Sequence, residues 1–340
     1  MNITVSGPNI RNRHHDLHIG RKVSQFWKLT REKNAQFALI SLMCVLLLRA
    51  LKQPKSENDG ALVGQGRVDL NSNNDDLMGV HRKFLRSNKV GKIEQKSFPA
   101  SGLRNLIIVA CHSVYTGVDF RHPEDQSSWF LLDYQRIPGQ TESFLKHIEL
   151  GVQEASKDES AMLLFSGGQT RRDAGPRAES MGYWMVAEAN KWFGTGNSVR
   201  ERAFTEEHSR DSLENFLFSL CRFYELTGKY PAQIVIVSYE FKKERFETLH
   251  RQALGWPESR LSFVGTPALT SEAIEGEEKT RQEFKEDPYG CMGSLAQKRQ
   301  FRDPFAHGGY PSERCPDIGP LLQHCSTSYF SASNLPWNKG

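Results

Sequence analysis

The amino-acid sequence predicts an α/β domain built on a doubly wound, mainly parallel sheet with helices on both faces, preceded by one transmembrane helix. Three observations lead to this prediction. Short, unbroken apolar runs recur between residues 106 and 264, amphipathic helical patterns alternate with them, and one longer apolar run lies near the N-terminus. Unbroken short runs are typical of strands that are covered on both faces, as in a parallel sheet.

The N-terminal region predicts a basic cytosolic tail over residues 1–34 and a single-pass anchor over residues 35–51. The apolar run is bounded by Lys33 and Lys52, and its length is at the short end of what crosses a bilayer as a helix. A buried helix and a signal peptide are alternatives. However, the run is apolar on every face, and no small-residue cleavage site follows it. Basic residues are denser before the run, which favours a lumenal C-terminal domain in the endoplasmic reticulum or Golgi.

The rest of the chain divides into three parts. Residues 52–101 are polar and lack apolar periodicity, which predicts a linker or stem. Residues 102–270 predict the α/β domain, and residues 271–340, rich in Gly, Pro and aromatic residues, predict an extension packed on that domain. Within the domain, strands are expected at 106–110, 161–165, 233–237 and 261–264, and helices at 142–155, 178–193, from 211 onward and at 242–254. This alternation is typical of right-handed βαβ units.

Charge and cysteine content narrow the functional classes. The net charge of +4 arises from 44 basic and 40 acidic residues, and the N-terminal tail carries much of the basic excess, so we expect no nucleic-acid partner.

The spacings of Cys291, Cys315 and Cys325 fit no usual zinc site, and we predict no metal. In a lumenal domain these cysteines could form disulfides. The odd number of cysteines after the anchor would then leave one thiol free.

Polar residues follow several of the predicted strands. Because parallel sheets bind ligands at the carboxyl ends of their strands, these residues are candidates for a binding site. His112 follows the first strand, and Ser238 follows the run at 233–237. Ser166-Gly167-Gly168 follows the second strand, with Arg171 and Arg172 close behind it. Small residues let an anion approach the backbone, and arginines bind phosphate or carboxylate. The alternative for Ser-Gly-Gly is an ordinary turn.

A second polar group precedes and opens the helix predicted from residue 211; it contains Glu206, His208, Ser209, Asp211 and Asn215. Capping explains Asp211, because Glu214 follows three residues later as in a capping box. Capping does not explain Glu206 or His208, which lie before the cap on the side expected to face a ligand. Glu179, at the start of the preceding helix, is either a partner of the helix dipole or a site acid.

The order of these motifs resembles the YdcF/SanA/ElyC family of domains of unknown function, and the later segments resemble its fungal branch. The matching residues are Ser166-Gly167-Gly168, Glu179, Glu206-x-x-Ser209-x-Asp211-Ser212-x-Glu214-Asn215 and Ser238. The resemblance covers about residues 103–268. It implies a Rossmann-like fold, frequent membrane anchoring and S-adenosylmethionine as a candidate ligand. Bacterial members often carry a histidine where this chain has Phe241, so His112 or His208 would have to replace it.

The sequence therefore predicts a membrane-anchored enzyme, a hydrolase or transferase, that acts on a nucleotide, a phosphorylated sugar or a lipid-linked substrate. The acid–base candidates are Glu179, Glu206, His112 and His208. The candidate contacts to a small anionic ligand are Ser166, Gly167, Gly168, Arg171, Ser209, Asp211, Asn215 and Ser238. The alternatives are a non-catalytic module that binds a nucleotide or S-adenosylmethionine, and a scaffold with a vestigial pocket.

Overall fold

Residues 98–339 are the part of the chain that the computed structural model describes, and their centre is a parallel sheet. The strands are β1 (Asn105–Ala110), β2 (Val114–Tyr115), β3 (Trp129–Phe130), β4 (Ala161–Ser166), β5 (Ala203–Glu206), β6 (Ile234–Tyr239) and β7 (Leu261–Thr266). Five of them pair in the order β5-β4-β1-β6-β7, and all of these pairs are parallel. β2 and β3 form a separate antiparallel pair.

The helices fill the connections between strands and continue beyond the last one. They are α1 (Gln140–Ser156), α2 (Glu179–Ala189), α3 (Asn197–Arg200), α4 (Ser212–Thr227), α5 (Arg251–Ala253), α6 (Ser271–Glu286), α7 (Gly293–Phe301) and α8 (Gly319–Leu322). A π-helical segment, Arg245–His250, leads directly into α5. The predicted helix at 242–254 is therefore a composite element rather than one regular α-helix.

Alternate residues of the central strand β1 face opposite sides of the sheet. Ile107 and Val109 lie in one core with α1 and α2, and Leu106, Ile108 and Ala110 lie in another with α4. Since helices cover both faces, these strand residues are apolar without interruption. The predicted α/β class with a parallel sheet is confirmed.

The sequence did not predict β5, one of the two edge strands of the parallel sheet. Its sequence, AFTE, contains only two apolar residues, and it pairs with β4 alone, from Leu163 with Ala203 to Ser166 with Glu206. An edge strand needs less apolar surface than a central strand, so its apolar run was too short to recognise. The pairing places Glu206 beside Ser166, at the carboxyl ends of both strands.

Residues 271–339 supply part of the core on the α4 side. Leu295, Ile318, Leu335 and Trp337 are almost completely buried there. Two disulfides fasten this segment: Cys221 of α4 bonds to Cys315, and Cys291 bonds to Cys325. Among the described cysteines, the free thiol is the buried Cys111.

The regions before the domain are mostly outside the described residues. The predicted tail at 1–34, the predicted anchor at 35–51 and the stem as far as residue 97 belong to that part of the chain. From 98 to 339, no helix combines the length and apolar character needed to span a bilayer. At the end of the predicted stem, the Ala100 amide donates to the Leu226 carbonyl in α4 (2.9 Å), so the chain is already packed on the domain there.

The disulfide Cys221–Cys315 closes a larger loop than Cys291–Cys325, with sequence separations of 94 and 34 residues. Because a cross-link restricts the unfolded chain more when the loop is longer, Cys315→Ala should lower the free energy of unfolding by about 2–4 kcal/mol. Cys291→Ala should lower it less. Denaturant unfolding of the oxidised full-length chain measures both changes. An equal or larger loss for Cys291→Ala would contradict this prediction.

Candidate functional site

A cavity of about 470 Å³ lies at the carboxyl ends of β1, β4 and β6, and the helices α6 and α7 contribute to its wall. This is the edge at which parallel sheets bind ligands. The structure brings most of the predicted site residues to this cavity. Those that line it are His112, Gly167, Arg171, Glu179, Ser209, Asp211, Asn215 and Ser238.

Four predicted residues do not line the cavity: Ser166, Gly168, Glu206 and His208. The Glu206 carboxylate is buried behind the wall and is fully engaged. One oxygen accepts from the amides of His208 (2.6 Å) and Ser209 (3.0 Å), and the other accepts from the Ser166 hydroxyl (2.6 Å). Glu206 therefore fixes the loop that follows β5 and does not line the cavity, and its acid–base role stays a prediction that this position does not support.

Asn215 extends this buried cluster to the first turn of α4. Its amide donates to the Ser166 carbonyl (2.9 Å) and to the Ser209 hydroxyl (2.8 Å). Burial raises the pKa of Glu206 to about 7, although its hydrogen bonds oppose that shift. The carboxyl consequently changes charge near neutral pH inside the protein.

The two glycines after β4 are explained by close packing. A Cβ atom on Gly167 would lie 2.8 Å from the Cβ of Glu179, and one on Gly168 would lie 2.7 Å from the Ser209 carbonyl oxygen. Their amides are also engaged, because Gly167 donates to the Glu206 carbonyl (3.0 Å) and Gly168 to the Ser209 carbonyl (2.8 Å). The predicted backbone cradle for an anion is therefore not formed by these amides.

His208 lies outside the cavity, beside the ring of Tyr310 at a centroid distance of 5.1 Å. Burial lowers the pKa of its imidazole. The predicted catalytic role of His208 is not supported by this position. Asp211 lines the cavity, but it also caps α4 by accepting from the Glu214 amide (2.9 Å), and it pairs with Arg299 (2.5 Å).

Glu179 is the predicted acid with the clearest access to the cavity. It is the first residue of α2, is 6% exposed and lines the cavity wall. The Thr170 hydroxyl donates to one carboxylate oxygen, Oε1. The other oxygen, Oε2, lies 3.1 Å from the position that a Cβ atom on Gly167 would occupy. The small residue at 167 thus leaves space beside a carboxylate that is already oriented.

Arginine side chains give the cavity a positive character. Arg171 is only 8% exposed, and its guanidinium donates to the Thr170 carbonyl (2.9 Å). Arg302 lines the same cavity and donates to the Arg210 carbonyl (3.0 Å). Across residues 98–339, no carboxylate lies within ion-pair distance of Arg171 or Arg302, whereas Arg245 pairs with Glu277 at 2.9 Å.

His112 lines the cavity within a short chain of polar groups. Its Nε2 lies 3.2 Å from the Ser238 hydroxyl, and its Nδ1 lies 3.3 Å from the ammonium of Lys242. When Lys242 is charged it can only donate, so in that state Nδ1 accepts and the Nε2 proton points to Ser238. Burial, followed by Lys242, holds the pKa of His112 well below its usual range. His112 is therefore neutral and is a weak base.

The sequence did not single out Lys242, Arg245, Arg302 or Glu277 as site residues, yet all four line the cavity. Lys242 and Arg245 could have been found, because they follow β6 directly, where a parallel sheet places ligand contacts. Arg302 and Glu277 belong to residues 271–339, and no local pattern indicates that this segment reaches the site.

Cys111 also borders the cavity. Burial raises the pKa of its thiol well above the ordinary value, and the carboxylates of Glu179 and Glu206 raise it further. Because the thiolate is the reactive form of cysteine, Cys111 is not an activated nucleophile.

Comparison with known proteins gives one informative relationship. The chain is 26% identical over 258 residues to the uncharacterized protein YOR238W of Saccharomyces cerevisiae. The similar region covers 59% of this chain and 84% of the yeast protein. No family model matches the chain, and no solved structure matches it. The relationship shows that most of the yeast protein is similar to this chain, and it assigns no activity.

The raised pKa of Glu206 predicts how stability depends on pH. The folded pKa, about 7, lies above the ordinary value of 4.5, so the stabilising contribution is complete below about pH 4.5 and is lost as the pH rises through 7. Glu206→Gln removes this titration. Relative to the wild type, the variant should therefore gain stability between pH 5 and 8, by on the order of 3 kcal/mol.

Denaturant unfolding of the full-length chain at several pH values measures this difference. Glu207→Gln is the matched control, because Glu207 is exposed and adjacent. A Glu206→Gln variant whose stability runs parallel to that of the wild type from pH 5 to 8 would refute the assignment.

Proposed function

We propose that this chain binds a small phosphorylated ligand in the cavity and acts on it as a hydrolase or transferase, with Glu179 as the acid–base group. Nucleotides, phosphorylated sugars and lipid-linked phosphates share the anionic group that this site would recognise. Arg171 and Arg302 would bind the phosphate. Gly167, Thr170 and Ser209 would border it, since they line the same wall.

The observation that carries this proposal is the burial of Arg171 with no carboxylate at ion-pair distance among residues 98–339. Removing a guanidinium from water is costly unless a counter-charge compensates for it. Burial lowers the pKa of Arg171, but an arginine remains charged at physiological pH. A second guanidinium, that of Arg302, lines the same cavity, which increases the requirement for a negative charge. A bound phosphate would supply it through charge-assisted hydrogen bonds.

Glu179 is suited to proton transfer at such a phosphate. The Thr170 hydroxyl orients Oε1, which leaves Oε2 available to accept a proton. In hydrolysis, a water oxygen would bond to phosphorus, Glu179 would take the proton of that water, and the bond to the leaving oxygen would break. In a transferase, an acceptor hydroxyl would replace the water.

The arrangement disfavours S-adenosylmethionine as the ligand. Its sulfonium centre is a cation, and it would enter a cavity that already contains two arginines without acidic partners. A non-catalytic phosphate-binding module is the stronger alternative. It is favoured by the fact that Glu206 and His208, two of the four predicted acid–base groups, do not reach the cavity.

We also propose which family this domain resembles, in which compartment it lies and how the chain is attached to the membrane. The motif residues Ser166, Glu206, Ser209 and Asn215 form one buried cluster, which supports a YdcF/SanA/ElyC-like, Rossmann-like domain. Two disulfides support an oxidising compartment, such as the lumen of the endoplasmic reticulum or Golgi. The apolar run at 35–51 would anchor the protein in the membrane.

The arginine assignment predicts a loss of anion binding in Arg171→Gln. Because one charge-assisted hydrogen-bonding group is removed, the affinity for inorganic phosphate should fall roughly 10- to 100-fold. Isothermal titration of the full-length chain in detergent measures the affinity. Arg172→Gln is the control, since Arg172 is exposed and does not line the cavity. Equal phosphate affinities in both variants would show that Arg171 is not a ligand contact.

Glu179→Gln separates catalysis from binding. Removal of a negative charge should leave phosphate affinity unchanged or increase it. In contrast, hydrolysis of 4-nitrophenyl phosphate, followed by absorbance, should fall at least about 100-fold. Retained hydrolysis would exclude Glu179 as the acid–base group. A wild-type chain that binds phosphate but hydrolyses nothing would favour the non-catalytic module.

The anchor assignment predicts that deletion of residues 1–52 releases the protein from membranes, because the chain has no other long apolar run. Deletion of residues 1–34 alone retains the run and should leave the protein in the membrane fraction. Carbonate extraction followed by immunoblotting distinguishes the two. Carbonate-resistant pelleting of the shorter protein would refute the anchor.

A further inference from the structure

Lys242 is a cavity-lining amine to which the function proposed above gives no role. It lies just after β6, and its Nζ is 3.3 Å from His112 Nδ1. The same nitrogen lies over the rings of Tyr239 and Phe241, at 5.4 and 5.9 Å from their centroids. The amine is therefore held in one place, within hydrogen-bond distance of an imidazole nitrogen.

Burial and the neighbouring cations favour the neutral amine of Lys242, whereas the two ring faces favour the ammonium. Within residues 98–339, no carboxylate lies at ion-pair distance from Nζ, whereas its sequence neighbour Lys243 lies 3.7 Å from Glu240. Burial lowers the pKa of Lys242 to about 7, and the nearby Arg245 contributes to that shift. Arg302 also lowers the pKa, while Glu277 and Glu179 oppose the change. A desolvated lysine beside other cations is a known form of activated amine nucleophile.

We propose that Lys242 is a nucleophile that forms an imine with the carbonyl group of a phosphorylated aldehyde or ketone bound in the cavity. The proposal rests on the phosphate site of Arg171 and Arg302 for the anionic part of the substrate. It adds a carbonyl group as the second recognition feature and assigns the reacting nitrogen. Lys242 is thus a catalytic residue distinct from Glu179.

The chemistry balances within the cavity. The lone pair of Nζ forms a bond to the carbonyl carbon, and the carbon–oxygen π electrons move to oxygen. The attacking nitrogen passes one proton, through solvent, to the carbonyl oxygen, which gives a neutral carbinolamine. The carbinolamine then loses its hydroxyl group as water. The net step consumes an amine, a carbonyl group and one proton from solvent, and it yields a protonated imine and water.

Borohydride trapping tests this proposal on the full-length chain in detergent. The protein is treated at pH 7 with glyceraldehyde or with glyceraldehyde 3-phosphate. The imine is reduced with sodium borohydride to a stable secondary amine, and modified lysines are quantified by mass spectrometry. Lys243, which is exposed and adjacent in sequence, is the internal control. Lys242→Met provides a second control, because it removes the reacting amine.

With both reagents, Lys242 should be modified at least about tenfold faster than Lys243, since an ordinary lysine with a pKa of about 10.4 is almost entirely protonated at pH 7. The rate at Lys242 should rise with pH to a plateau with a midpoint near 7. If Lys242 reacts no faster than Lys243 with either reagent, the proposal is overturned.

The two reagents separate this proposal from the phosphate site. If both are correct, the phosphorylated aldehyde should label Lys242 faster than glyceraldehyde does, after normalisation to Lys243, and Arg171→Gln should abolish that advantage. Selective labelling of Lys242 by both aldehydes without a phosphate advantage would uphold the nucleophile and refute the phosphate site. An advantage for the phosphorylated aldehyde that is equal at both lysines is a property of the reagent, and it would likewise refute the phosphate site.

Discussion

The buried carboxyl of Glu206 is the constraint on which the geometry of the site depends. It accepts hydrogen bonds from two successive amides after β5 and from the Ser166 hydroxyl at the end of β4. Asn215, in the first turn of α4, donates to two residues that hydrogen-bond to Glu206, namely to the Ser166 carbonyl and the Ser209 hydroxyl. The ends of two strands and the start of a helix are thereby fixed relative to one another. Glu206 does not line the cavity itself. It holds the loop that brings Ser209 and Asp211 to the cavity wall.

The same constraint explains the glycines. The loop that Glu206 holds passes so close to Gly168 that a side chain there would meet the Ser209 carbonyl. Gly167 is confined by Glu179 in the same way. Small residues at 167 and 168 therefore allow the loop and α2 to approach, and this approach places the Glu179 carboxylate at the cavity. The Ser-Gly-Gly motif acts through packing, and the positive charge of the site comes from side chains.

The sequence was sufficient for the features that depend on local pattern. Apolar runs located four of the five strands in the parallel sheet, and the post-strand rule placed His112, Arg171, Glu179 and Ser238 at one edge. It could not distinguish a carboxyl facing the cavity from one facing the wall, because Glu206 lies at the same edge as the residues that line it. The orientation of Glu206 depends in part on a hydrogen bond to Ser166, which is distant in the chain. Arg302 was missed for a related reason, since it reaches the site through residues 271–339.

The contribution of residues 271–339 explains how a cationic cavity is tolerated. α6 provides Glu277, which pairs with Arg245, and Asp303 pairs with Arg210. These acids pair with Arg210 and Arg245, while within the described part of the chain Arg171 and Arg302 have no carboxylate at ion-pair distance. If the segment served only to cover the core, its acids would be expected to neutralise the nearest cations without distinction. Instead, the segment adds Arg302 to the cavity and pairs Arg210 and Arg245, which also line it, so the cations left without a carboxylate at ion-pair distance include Arg171 and Arg302.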